Sequence, residues 1–445
     1  MPNHDKQMTP KTLRSFDGTE KADGFLARPD RYRHLLDACA QGKNFIPRGA
    51  ALTYCNASAG NGVATISTLA FNRILEFSPQ TGSVVVEPGI RLGDLFKFTV
   101  PRGFLLAIMP GHPSITVGGC IGCDIHGKNQ HREGNFENSV EELTVYHPEF
   151  GERQCSRQVL PELFDLTLGG FGLTGVITSA RLKLAELPGD ALEVRRRPVG
   201  NLIEAVELLQ QEHDSDVVYS WHDFNRRGAR FGQGYLYSGR FLVRHTVSDL
   251  RFQILTPENR RRWPVGLLSS PVLCVAMRGY GWAQRLKSTT YLEPLPRAMF
   301  PIVGKESYFR IYGSAGFQEY QVIVPFDRWS RFADRLRSMI AESGVAVGLA
   351  SLKLFSGKQQ FLRFDGTGVC LAIDVPAGER ARRFFASLDA LTLDLGGTVN
   401  IAKDSRLNAE FVRRVFPQYD RFRDALANHA PKRHIQSCLR KRLDV

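Results

Sequence analysis

Residues 109–129 read MPGHPSITVGGCIGCDIHGKN, with glycines at 111, 118, 119, 122 and 127 among β-branched residues. Glycine tolerates positive φ and lets another group approach the main chain closely. A dense, irregular glycine spacing therefore predicts a backbone shaped around something flat or anionic. Asp124, His126, Lys128 and Asn129 follow at once, placing groups able to move protons or hold charge beside the cradle. A second candidate is Lys403, in the run Ala402–Arg406 (AKDSR) just after Gly396–Gly397. A buried cation there would stabilise negative charge, whereas a solvated one would do nothing.

Two further motifs carry weaker chemistry. Gly170, Gly172 and Gly175 in GGFGLTG match G-x-G-x-x-G. A dinucleotide turn needs a strand before this motif and a helix after it. Here PELFDLTL before it reads as a helix and VITSARLKL after it as a strand, so the expected element is a helix-to-strand crossing packed near a ligand. Cys120 and Cys123 form C-x-x-C, but no second pair lies at zinc spacing, so no metal site is expected. The pair reads as small residues in a tight glycine-rich loop.

These candidates need elements to hold them. Apolar spacing predicts helices over 30–39, 90–100, 202–211, 329–342, 378–391 and 409–428. Strand signals fall at 44–47, 63–67, 83–86, 103–109, 140–146, 175–184, 217–221, 234–242, 318–325 and 369–375. Pro188–Gly189 marks a boundary. The stretch 251–287 reads as one long irregular loop, rich in arginine, proline and apolar residues.

The chain has 445 residues, 43% hydrophobic and 23% charged, room for two or three globular domains. No run is apolar for the roughly 18–20 residues that span a bilayer. The polar amino terminus is unlike a secretory signal, and eight cysteines without framework spacing suit reduced thiols. Cytoplasmic residence is the expectation. Net charge is +13, which favours an anionic partner. Basic runs lie at Arg195–Arg197, Arg260–Arg262 and Lys432–Arg442. No zinc-finger, basic-zipper or aromatic RNA-binding pattern accompanies them, so no nucleic-acid partner is expected.

Together, Pro110–Asn129, Gly169–Gly175 and Ala402–Arg406 resemble the flavin-dependent decaprenylphosphoryl-β-D-ribose 2′-oxidases of the vanillyl-alcohol-oxidase/para-cresol-methylhydroxylase superfamily. The resemblance runs from about Arg48 to the carboxyl end. It implies an α+β, two-domain flavoprotein. Its FAD-binding domain would comprise 1–186 and 398–445, with a sheet-and-helix substrate domain, 187–397, inserted between. FAD-binding positions carried over are Arg48, Gly49, Ala50, Ala51, Leu52, Thr53, Tyr54 and Asn56 in a first loop. Gly111, Thr116, Val117, Gly118, Gly119, Cys123, Asp124, Ile125 and His126 form a second. Val176 and Ile177 fall on the adenine side, and Asn400 and Lys403 near the flavin.

The first loop has fewer glycines than is usual in the family, at Ala50, Ala51 and Cys55. Leu52 stands where some superfamily members carry a flavin-linked histidine, which implies non-covalent FAD. Ala372 replaces a family cysteine, with Cys370 two residues earlier, and Asn400 replaces a tyrosine.

Active-site positions carried over are His126, Lys403, Lys353, Gln321, Lys128, Tyr54 and Trp221. The resemblance implies oxidation of the C2′ hydroxyl of a polyprenyl-phosphate-linked pentose. That would be the first half of an epimerisation towards arabinose for a cell-envelope glycan, completed by a short-chain reductase partner. Peripheral contact with the inner face of the membrane goes with such a substrate, through Arg260–Arg262, Trp263, Leu267 and Leu268. The alternative is an oxidase of a soluble sugar, alditol or sugar lactone.

Overall fold

Glycine is a poor helix former, yet residues Val117–Cys123 form a helix in the computed structural model, where a loop was expected. Two local features explain it. The Thr116 side chain caps the helix by accepting from the Gly119 amide, which satisfies one of its orphan donors. The helix also packs so closely on its neighbours that only small residues fit: a Cβ at Gly118 would lie 3.0 Å from Pro88. Asp124 ends the helix in the left-handed region. The structure describes residues 8–41, 44–108, 110–242, 262–268 and 288–445, with single positions 272, 273, 275, 279 and 283.

The architecture is mixed α and β. A four-stranded sheet runs in the order Met8–Arg14, Lys21–Ala27, Ala64–Ser67, Phe45–Arg48. A five-stranded antiparallel sheet runs Ile74–Ser78, Ser83–Val86, Val176–Lys183, Val140–His147, Gly151–Ser156. An antiparallel eight-stranded sheet dominates the rest. Its order is Thr290–Pro294, Ala191–Val199, Gln233–Leu242, Val217–Asp223, Leu349–Phe355, Gly368–Pro376, Phe317–Val324, Thr398–Val399. One face of that sheet is covered by amphipathic helices. Helix Trp329–Ser343 buries Trp329, Phe332, Ala333, Leu336 and Ile340, the three-and-four spacing of a single apolar stripe.

The chain's end returns to its beginning. Ile435 bridges Phe45 in parallel, and the Cys438 and Leu439 amides donate to the carbonyls of Ala59 and Asn56. The Tyr54 amide donates to the Ala402 carbonyl, so the first loop is tied to the turn that carries Lys403. We propose the division at 186/187 and 397/398 as a domain division. It is supported by seven strands of the eight-stranded sheet falling between residues 191 and 376; the edge strand Thr398–Val399 is contributed from just beyond the second boundary.

Several elements differ from expectation. The helix expected over 409–428 is two helices, Ala409–Val415 and Tyr419–His429. Pro417 explains the break: it lacks an amide proton and pushes Phe416 out of the helical region, to φ −109° and ψ 103°. The strand expected over 103–109 shortens to Phe104–Leu105, paired with Ala185–Glu186. Of the expected 251–287 loop, and of Arg260–Arg262 within it, most lies outside the described residues, as does Met109.

Candidate active site

Three glycine-bearing segments meet along one wall of a cavity of about 370 Å³. The first loop touches the second where an added Cβ at Gly49 would lie 2.2 Å from Thr116 Oγ1. The GGFG crossing closes onto the end of the short helix: Gly169 and Phe171 amides donate to the carbonyls of Ile121 and Gly122 at 2.8 and 2.7 Å. An added Cβ at Gly172 would come within 3.0 Å of Pro47. In the first loop Ala51 takes φ 59°, a left-handed conformation that costs an L-residue roughly 1–2 kcal/mol.

The opposite wall is the uncovered face of the eight-stranded sheet. Side chains alternate along a strand, and the cavity is lined in that period: Glu319 and Gln321; Leu349, Ser351 and Lys353; Ala372 and Asp374; Tyr219 and Trp221. Across this wall runs an oriented hydrogen-bond chain. The Ala402 amide donates to Asn400 Oδ1 (3.1 Å), Asn400 Nδ2 to Gln321 Oε1 (2.6 Å), and Gln321 Nε2 to His126 Nε2 (3.0 Å). A backbone N–H can only donate, so it fixes both amide orientations and makes Nε2 of His126 an acceptor. His126 Nδ1 then carries the proton, facing the Gly127 carbonyl at 3.4 Å. Burial, followed by nearby Lys353, holds this imidazole well below its ordinary pKa, so it is neutral. Phe355 and Phe364 pack on its ring.

Three lysines behave differently. Lys403 Nζ sits 3.7 Å above the Tyr54 ring and 3.5 Å from Glu319 Oε1. Lys128 Nζ donates to the carbonyls of Ala298 and Met299, and burial drives its pKa well below the ordinary value. Its charge is thus directed at backbone. Lys353 is also lowered by burial. Beyond Lys403, Tyr308 Oη donates to Asp374 Oδ2 at 2.7 Å and meets Tyr312 Oη.

The carried-over active-site residues Tyr54, His126, Lys128, Trp221, Gln321, Lys353 and Lys403 all line this one cavity, as do all but three of the carried-over cofactor positions. The three are Asn56, Val117 and Val176, which are buried behind the wall. Ala372 faces the cavity, while Cys370, on the same strand face two residues earlier, lies just beyond its lining among Ile323, Phe355 and Phe364, with its Sγ 3.7 Å from Gln321 Nε2. Arg262 turns inward, donating to the Phe16 carbonyl, and Leu268 packs in the Tyr54–Tyr312–Phe317 cluster. Val265 and Leu267 remain 70% and 52% exposed.

Glu319, Asp374, Ser351, Tyr219 and Tyr308 also line the cavity and were not among the sequence candidates. A signal for two of them was present. Glu319 stands two residues before Gln321, and Asp374 two after Ala372. A carboxylate on the site-facing period of a buried central strand is unusual, because burying charge is costly.

A glycine-lined wall facing a polar sheet is the arrangement of an FAD-linked oxidoreductase. A family model described as an FAD binding domain matches residues 30–152. The decaprenylphosphoryl-β-D-ribose oxidase of Mycolicibacterium smegmatis is 30% identical over 396 residues, covering 85% of this chain and 84% of that protein. This chain belongs to that oxidase's family. An uncharacterized protein of Streptomyces coelicolor is 28% identical over 386 residues, 80% of this chain and all of that one. A putative D-arabinono-1,4-lactone oxidase of Neurospora crassa is 30% identical over 113 residues, 25% of this chain and 20% of that one.

The residues present fit FAD. Gly49 and Gly111 line the wall, and a Cβ at Gly111 would meet nothing within 4 Å. The backbone is therefore open to a pyrophosphate there, whereas the Gly118 and Gly119 amides are already engaged by the Pro88 carbonyl and the Thr116 hydroxyl.

Proposed function

We propose that this enzyme oxidises the C2′ hydroxyl of a polyprenyl-phosphate-linked pentose to a ketone. In this reading it performs the first half of an epimerisation towards arabinose for a cell-envelope glycan. Bound FAD supplies the hydride acceptor for this chemistry. The support is a relative named for a decaprenylphosphoryl ribose, matched over 84% of its length, and a sugar-sized wall beside the glycine cradle. Trp221 and Tyr219, ring centroids 5.8 Å apart, offer flat apolar faces to a pentose ring. Gln321, Ser351 and Lys353 offer polar atoms for its hydroxyls, and Lys403 a cation where negative charge develops. His126, Gln321 and Asn400 hold one another in register.

A lipid-linked substrate also rationalises the exposed Val265 and Leu267 beside the cavity's outer segment. Apolar side chains on a basic protein favour an anionic membrane surface. Peripheral contact at the inner face, cytoplasmic residence and a short-chain reductase that takes the ketone complete the proposal. Among the described residues no helix is long and apolar enough to cross a membrane.

The second reading, oxidation of a soluble sugar, alditol or sugar lactone, draws on the lactone-oxidase likeness, which covers only a quarter of this chain. Anaerobic mixing separates the two. Polyprenyl-phosphoryl ribose should bleach the flavin in a single turnover, with free pentoses, alditols and lactones inert. Bleaching by soluble polyols alone reverses the assignment.

A further inference from the structure

Oxidising an alcohol releases a proton as well as a hydride, and the arrangement of His126 leaves it unsuited to take that proton. Its Nε2 lone pair already accepts from Gln321, and its Nδ1 hydrogen faces the Gly127 carbonyl. The network's direction is set by a backbone amide, so neither nitrogen is spare. Lys128 is committed to two carbonyls.

On the same wall, Glu319 and Asp374 stand directly opposite each other across adjacent antiparallel strands. They are 5% and 1% exposed, and both line the cavity. Directly opposed residues of such a pair have their side chains on one face, close together. Asp374 Oδ2 accepts from Tyr308, while buried Asp374 Oδ1 receives no N–H or hydroxyl donor, and the Glu319 carboxyl lies within hydrogen-bonding reach of the Asp374 carboxyl. Two apposed carboxyls in a low-dielectric wall cannot both ionise without large cost. One proton must lie between them. Burial, then Glu319 itself, keeps that proton on Asp374, while Glu319 is paired with Lys403.

Resting on the alcohol-oxidation reading above, we propose that the Glu319–Asp374 pair is the proton acceptor of the reaction, with Glu319 touching the substrate hydroxyl. The balance is complete. The carbinol C–H bond breaks and its hydrogen leaves with both electrons for the bound FAD. The O–H bond breaks and its proton goes to Glu319. The oxygen electron pair so released closes the C=O bond. Asp374, donating its own proton towards Glu319, keeps the pair at one negative charge before the reaction and none after it. The other titratable groups that interact with the pair are Lys403, Lys353, Cys370, Tyr54, Tyr308 and Tyr312.

The test uses holoenzyme with whichever alcohol bleaches the wild-type flavin. A polyprenyl-phosphoryl pentose that fails where a soluble polyol succeeds counts against the substrate reading only, and the pair is then tested with that polyol. Glu319→Gln should slow flavin reduction about 10²–10⁴-fold, the usual worth of a positioned base. It should flatten the acid limb of the pH profile and leave flavin content unchanged. Glu319→Asp should restore that limb, and Asp374→Asn should displace it. The sign is diagnostic. If Glu319 merely neutralised Lys403, its removal would leave the cavity more positive and make hydride acceptance faster, not slower. Infrared spectra of the holoprotein without substrate provide a second readout: a deuterium-sensitive protonated-carboxyl band at neutral pH, lost in Asp374→Asn. A Glu319→Gln enzyme that reduces its flavin at the wild-type rate or faster, with the acid limb intact, overturns the proposal. So does the absence of that band in wild type.

Discussion

Replacing Gln321 by Leu interrupts the chain from Ala402 to His126 at its centre. Two polar atoms lose their partners at once. Asn400 Nδ2 loses its acceptor at 2.6 Å and His126 Nε2 its donor at 3.0 Å. Each buried group left unsatisfied costs about 1–3 kcal/mol. The variant should therefore lose about 2–5 kcal/mol of unfolding free energy, partly offset by the added apolar contact. His126→Phe removes the other end of the second bond, and its ring can keep the packing on Phe355 and Phe364. The double variant should be less destabilised than the sum by about 1–2 kcal/mol, because the second change removes an atom already orphaned. Urea unfolding of all four proteins, saturated with FAD, measures the cycle. Losses that add to within about 0.5 kcal/mol would refute the oriented chain, and with it the assignment of His126 Nε2 as an acceptor.

Other consequences are open to simpler measurements. Ala51→Gly relieves the left-handed residue at φ 59° and should raise stability by about 0.5–1 kcal/mol, seen as a higher unfolding midpoint. A lower one would mean the strain is absent. Gly49→Val drives a Cβ into Thr116 Oγ1, separates the two loops, and should weaken FAD binding at least tenfold by fluorescence titration. An unchanged dissociation constant would contradict the loop contact. His222 is buried with Ser220 and the Gly232 carbonyl on its two nitrogens, and burial lowers its pKa to about 4. The folded value lies below the unfolded one of about 6.5, so the unfolded chain takes the proton first. His222 thus contributes stability that is complete above pH 6.5 and declines as pH falls towards 4. The stability gap between wild type and His222→Gln should shrink over that interval, and a gap independent of pH would contradict it.

Much of this was legible because it depends on local pattern. The glycine spacing of 109–129 marks a cradle by local pattern, whereas the distant AKDSR run is tied to it only by the family resemblance; residues of the first run and Ala402 and Lys403 of the second line one cavity. GGFGLTG could be set apart from a dinucleotide turn because helix Pro161–Thr167 precedes it and strand Val176–Lys183 follows it. What escaped depends on tertiary context. The short helix at Val117–Cys123 exists because Pro88 and the GGFG crossing press on it, which propensity cannot register. Strand Phe317–Val324 is buried on both faces, so burial alone does not single out Glu319; only its two-residue spacing from Gln321 marks the shared face. Its opposition to Asp374 is a matter of register between strands about fifty residues apart in sequence. Lys128 lines the cavity as its type and place suggest, but the Ala298 and Met299 carbonyls that its Nζ also meets lie far along the chain.

That two separate loops and the returning tail enclose a single dinucleotide, with no covalent tether at Leu52, is tested most directly by acid precipitation of protein incubated with FAD and freed of excess. One FAD per chain should appear in the supernatant. A chain that carries no flavin after incubation, or flavin that stays with the precipitated polypeptide, would contradict it.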